Sequence, residues 1–212
     1  MNFSRSKSIL LIASLAVIAW SLVSIFQRKK PTQTTGMITT QGLADAAADE
    51  LGKIAGSHPT LLLIHGPSND MTPPEVSGFP DQLSRTLQQR GMRVIGNELA
   101  DTATPDTVLL SWDDFAGALG KHPDADVVVS LIGPPNVTPQ ASGNWAAIKP
   151  KLVVVRHDFY PRPPSEALNS EYLGFAIIAR DDVKVDGKHP PKTPGEWFNT
   201  VYRVITPATV RK

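Results

Sequence analysis

His65, Ser68, Asn69, Asp70, Glu98, Asn136, His157, Asp158 and Asp181 are the polar residues whose placement could do chemistry, because each lies at or just after a short apolar run. In an open parallel sheet, ligands sit beyond the carboxyl ends of the strands, near the point where strand order reverses. Imidazoles, carboxylates and amides gathered there would hold a small polar molecule. Catalysis needs more. His65-Gly66 after a strand is the kind of loop that helps form an oxyanion hole, and His157-Asp158 could supply a proton relay. However, no G-x-S-x-G elbow occurs, and side chains of sequence neighbours ordinarily diverge. Zinc would require three or four ligands converging from His65, His157, Asp158 and Asp181, and no H-x-x-x-H spacing occurs. Neither G-x-G-x-x-G nor a P-loop follows the first run. The third run ends in Ser130-Leu131-Ile132-Gly133, without the acceptor aspartate of a receiver domain. We therefore assign no catalytic residue, no metal and no cofactor.

Composition narrows the partners. The first 30 residues hold five of the 21 Lys and Arg and no Asp or Glu, which leaves 16 basic against 20 acidic residues in the remainder. A mildly acidic domain has no electrostatic footprint for nucleic acid. With no cysteine, disulfides and thiolate chemistry are excluded. Residues Ser8 to Phe26 are uncharged and rich in Leu, Ile, Val and Ala, with Arg5 and Lys7 before them and Arg28-Lys29-Lys30 after. As a helix this run reaches roughly 28 Å, close to the hydrocarbon thickness of a bilayer. A cleavable signal would have a shorter core and small residues at its end, whereas Trp20 and Phe26 lie late in this run. The sequence therefore predicts a single-pass anchor over residues 1–30, in contact with the lipid bilayer. The short basic tail is placed in the cytoplasm and the domain outside, at the inner membrane.

The elements that would position the polar set follow from hydrophobic pattern. Pro31 to Gly42, with five threonines, reads as a linker, and residues 43–212 read as one α/β domain. Leu43, Ala47, Leu51 and Ile54 fall on one helical face that stops at Gly56. Five apolar runs follow, at Leu61-Ile64, Met92-Ile95, Val127-Ile132, Leu152-Val155 and Phe175-Ala179. Runs apolar at consecutive positions suit strands covered by helices on both faces. Between them, Phe79, Leu83 and Leu87 line a helix capped by Gly91, and Ser111 to Asp114 open another. Trp145 to Ile148 gives one helical turn. Pro164, Leu168 and Tyr172 suggest a helix stopped by Gly174. Thr193 to Glu196 cap a last helix running through Trp197, Val201, Val204 and Ile205. The prediction is a doubly wound, mostly parallel five-stranded, flavodoxin-like sheet, in order 2-1-3-4-5. The loop from Gly66 to Gly78 exceeds the usual βα connection.

The strand-and-loop pattern of Leu61 to Gly78 is followed by Phe79-x3-Leu83-x3-Leu87-x3-Gly91. Next come Asp124-x-Asp126-Val127-Val128-Val129-Ser130 and Lys151-Leu152-Val153-Val154-Val155. Over Thr60 to Arg180 the chain thus resembles one lobe of type I periplasmic binding proteins. Those proteins hold ligand between two lobes, and this chain has material for one. Two functions follow. The first is a membrane-anchored interaction module, an accessory subunit of a membrane or periplasmic assembly, touching protein partners through the aromatics Trp145, Phe159 and Tyr160. The second is a small-ligand-binding domain, with His65, Ser68, Asn69, Asp70, Glu98, Asn136, His157, Asp158 and Asp181 at the strand ends.

Overall fold

Val127-Val128-Val129 and Leu152 to Val155 are buried at every position, and they form the middle of the sheet. The computed structural model describes residues 35–210, except 57, 105, 137–149, 165, 169–171, 184 and 186–188. The segments expected as anchor (Ser8 to Phe26) and as the turn at Trp145 to Ile148 lie outside the described residues. Among the described residues, no helix is long and apolar enough to cross a membrane.

In chain order the elements are α1 (Thr35–Ala55), β1 (Thr60–His65), α2 (Pro74–Ser77), α3 (Phe79–Gln89), β2 (Arg93–Leu99), α4 (Trp112–Lys121), β3 (Val127–Ser130), β4 (Lys151–Val155), β5 (Leu173–Ala179), α5 (Pro194–Val201), β6 (Tyr202–Ile205) and α6 (Pro207–Val210), with a 3-10 turn at Glu166–Leu168. The sheet runs β2-β1-β3-β4-β5-β6. Its first five strands are parallel and stand in the expected order, and β6 is antiparallel to β5.

Alternate strand residues feed two cores, which is why the inner strands β1, β3 and β4 are apolar at consecutive positions. Leu61, Leu63, Val127, Val129, Val153 and Val155 pack under α1, α3 and α5, against Leu43, Leu51, Leu83, Leu87 and Trp197. Leu62, Ile64, Val128, Leu152 and Val154 pack on the other face with Phe115, Ala118 and Leu168. Ser111 caps α4 by accepting the Asp114 amide at 3.0 Å. Thr193 and Glu196 form the reciprocal capping box of α5. Thr60 and Asp126 pin the starts of β1 and β3 together: Thr60 donates its amide and hydroxyl to the Asp126 carboxylate at 2.8 and 2.7 Å. Those bonds from Thr60 hold the Asp126 carboxyl below the ordinary carboxylate range. Gly56 and Gly91, ending α1 and α3, adopt φ of 76° and 80°, a conformation other residues rarely take.

Four expectations are corrected. Helix α1 begins at Thr35, inside the segment read as linker. Its Thr39 and Thr40 are buried, and Thr40 satisfies its hydroxyl within the helix by donating to the Met37 carbonyl at 3.1 Å. The last helix stops at Val201, and Tyr202 to Ile205 become a sixth strand, because the β-branched Val204 and Ile205 suit the sheet edge beside β5. Gly174 is no helix stop; it lies in β5, where Ile54 of α1 sits so close that a Cβ would meet its methyl at 2.7 Å. Strand β3 ends at Ser130, two residues early, because the Ser130 hydroxyl donates to the Gly133 carbonyl at 2.6 Å and turns the chain.

Candidate functional site

The carboxyl ends of β1, β3 and β4 converge on an open cleft of about 480 Å³, counting the solvent at its mouth. It lies where strand order reverses, between β1 and β3. From β1 come His65, Gly66, Pro67 and Ser68; from the end of β3, Leu131 and Ile132; from the end of β4, Val155, Arg156, His157 and Tyr160. Val76 of α2 with Phe79 and Pro80 of α3 supply an apolar wall, and Thr104 and Thr107 close the side after β2.

The long loop after β1 is built rather than loose. Asn69 forms its turn, accepting the Met71 amide on Oδ1 at 2.9 Å and the Thr72 amide on its carbonyl at 2.9 Å. Helix α2 then brings Val76 under the cleft.

Arg156 is the most constrained polar residue here, at 3 % exposure. Its Nε donates to the Pro161 carbonyl at 2.8 Å, its Nη2 to the Thr107 carbonyl at 2.8 Å, and its Nη1 to the Ile132 carbonyl. The guanidinium lies 5.2 Å from the centre of the Tyr160 ring, within cation–π range. Burial brings its pKa down to about 10, so it remains charged at neutral pH.

His157, expected to diverge from its neighbour, instead pairs with it: Nδ1 lies 2.9 Å from the Asp158 carboxylate. Tyr202 donates its hydroxyl to the same Asp158 oxygen at 2.8 Å. Burial opposes the charge on Asp158, but the bonds from His157 and Tyr202 outweigh it and hold the carboxyl below the ordinary range. Burial, with the adjoining Asp158 charge, pushes the Tyr202 phenol upward. The His157 ring packs edge-on to Phe79 and Tyr202, and its Nε2 is buried without a partner among the described residues. A hydrolytic relay would place a hydroxyl on that atom.

Of the nine residues expected at a site, His65, Ser68 and His157 line the cleft. The others are used elsewhere. Asn69 makes its turn, and Asp70 stands exposed at the tip. Glu98 accepts Lys121 and His122, each at 2.8 Å, and those bonds, that from Lys121 first, hold its carboxyl low. Asn136 donates its backbone N–H to the Leu110 carbonyl at 2.8 Å, and the residue is exposed. Asp158 backs His157. Asp181 pairs with Arg162 and, at 3.9 Å, Arg203. Among the expected partner contacts, Phe159 is exposed, Tyr160 is half-buried in the cleft wall, and Trp145 lies outside the described residues. Arg156 stands at a strand end in the sequence, beside His157, but is not among the nine, although a signal existed. The period-two alternation that sends Val153 and Val155 to the α1 face sends Leu152 and Val154 to the other, and Arg156 is next in that second series.

No protein-family model matches the sequence, and no curated protein matches it. Solved structures do match in fold. The arabinose-binding protein AraP from Geobacillus stearothermophilus superposes with a TM-score of 0.52 at 14% identity, covering 81% of this chain and 62% of that one. A solute-binding protein of an ABC transporter from Burkholderia graminis, in complex with D-arabinose, gives 0.50 at 14% identity, covering 79% and 59%. The XylFII-LytSN complex gives 0.51 at 8% identity, covering 80% and 60%. The chain thus spans about three fifths of the length of these structures. At such identities the likeness is one of fold, and at that level the resemblance to a periplasmic-binding-protein lobe holds.

Proposed function

We propose that this chain is a small-ligand-binding domain whose site is the cleft at the ends of β1, β3 and β4. The observation that carries this reading is the cleft's place at the strand-order switch, where ligands of open α/β sheets sit. The solved structures of like fold add support, since two are named for arabinose. The scaffold reading draws less support, because Tyr160, one of its three contact residues, packs against Arg156.

The test is thermal unfolding of the full chain in mild detergent against pentoses, hexoses and small organic acids. A ligand at about 100 times its Kd adds about 2.7 kcal/mol. For a domain of this size that raises Tm by about 5–10 °C. Ser68→Trp, at the exposed lip, is expected to abolish the shift without lowering the unliganded Tm. No shift with any compound, or a shift that Ser68→Trp leaves intact, defeats the assignment.

We further infer that Ser8 to Phe26 holds this domain at an extracytoplasmic membrane face. Support comes from its nineteen uncharged residues and basic flanks. Carbonate-washed membranes are expected to retain the full-length chain. A soluble product beginning beyond residue 26 would count against the anchor.

A further inference from the structure

The cleft carries a buried guanidinium, Arg156, that pairs with no carboxylate among the described residues. Arg156 is 3 % exposed, and its three hydrogen-bond acceptors are backbone carbonyls, which satisfy N–H groups but carry no net charge. Among the described residues the cleft lining contains Arg156 and no aspartate, glutamate, asparagine or glutamine. Asp158, two residues along from Arg156, is engaged by His157 and Tyr202. Burying an unpaired cation is costly, and the cost is offset when the missing charge arrives from outside.

We propose that the ligand of this cleft is a small organic anion whose carboxylate is received by Arg156. This rests on the reading of the cleft as a ligand site, and it narrows the ligand class. Three of the five guanidinium N–H groups are taken by the carbonyls of Pro161, Thr107 and Ile132, which leaves two for a carboxylate. The carbonyls and the Tyr160 ring hold the guanidinium in place, so little side-chain entropy remains to be lost on binding. The apolar wall of Val76, Phe79 and Leu131 suits a short hydrocarbon body. A neutral sugar fits less well. Its hydroxyl protons need acceptors, and a lining without carboxylate or amide side chains offers few.

The test uses the full wild-type chain in mild detergent, titrated with pyruvate, butyrate, succinate and glutarate. Each acid is run beside its amide, with inorganic phosphate and D-arabinose in parallel. An amide has nearly the shape of the acid but sets an NH₂ group against the guanidinium. The expected result is binding of at least one acid, with its amide weaker by about tenfold or more. Arg156→Gln is expected to abolish acid binding. Because that variant also releases three carbonyls, the acid-to-amide ratio of the wild type decides the question if the variant does not fold. Equal binding of acid and amide, or binding of D-arabinose alone, overturns the anion assignment and leaves the small-ligand reading standing. Binding of phosphate alone overturns the carboxylate. If nothing in the wider panel of sugars and acids binds either, both readings fall together.

Discussion

Val128→Asp is expected to leave no folded domain. Val128 is fully buried at the centre of β3, with Leu62 of β1 and Leu152 of β4 as its neighbours in register. The side chains packed in the core beneath α4, among them Phe115, Leu152 and Val154, are apolar and offer an aspartate no partner. A carboxylate would cost several kcal/mol of desolvation or would have to protonate, and the lost valine packing adds about 1.5–3 kcal/mol. Set against a total stability of about 5–15 kcal/mol, that is enough to unfold the chain. Val128→Ala, which loses packing alone, should fold with a lowered Tm. Circular dichroism of the two variants distinguishes the cases, and a cooperative wild-type melt from Val128→Asp would mean that the sheet register is wrong.

Gly133→Ala has the next largest expected effect. A Cβ on Gly133 would overlap the Val108 carbonyl, a backbone atom that cannot rotate away. The strand-like segment that must shift is tied to the cleft. Leu110 donates its amide to the Pro134 carbonyl at 3.0 Å, and the Thr107 carbonyl accepts Arg156. Overpacking of this kind costs about 1–3 kcal/mol, or about 2–12 °C in Tm for a domain of this size. Ligand binding should be lost together with stability. Gly117→Ala is the matched control: its Cβ would meet nothing within 4 Å on the exposed side of α4, where alanine favours the helix. If scanning calorimetry gives the two variants the same Tm, the close approach of Gly133 to Val108 is not real.

Strands β1, β3, β4 and β5 were legible because their apolar residues fall on consecutive positions, as strands covered on both faces require. Strand β6 was not. Val201, Val204 and Ile205 fit a helical stripe and a β-branched run equally well, and only the vacancy beside β5 decides between them. Pro164 to Tyr172 misled in a similar way: apolar residues at helical spacing are met there by a 3-10 turn over Glu166–Leu168. At the site, the place was legible and the members were not. The strand ends could be listed from sequence, but which polar residue turns inward depends on partners far along the chain. Glu98 is drawn away by Lys121 and His122, and Asp181 by Arg162 and Arg203. Arg156 is drawn inward by carbonyls at Thr107 and Ile132, 49 and 24 residues away in sequence.

The ion cluster at Glu98 has a role apart from any ligand. Strand β2 is the outer edge of the sheet, and such an edge presents unpaired amides and carbonyls on which another chain can build. Gly96 in this strand leaves room on the sheet face for a neighbouring side chain. The His122 imidazole, fixed by its bond to Glu98, stands over Gly96 so closely that a Cβ there would lie 2.5 Å from Nε2. Lys121 adds an exposed ammonium on the same carboxylate. A carboxylate that reads in the sequence as a ligand-binding group thus acts as a clamp, holding the last turn of α4 against the face of the edge strand.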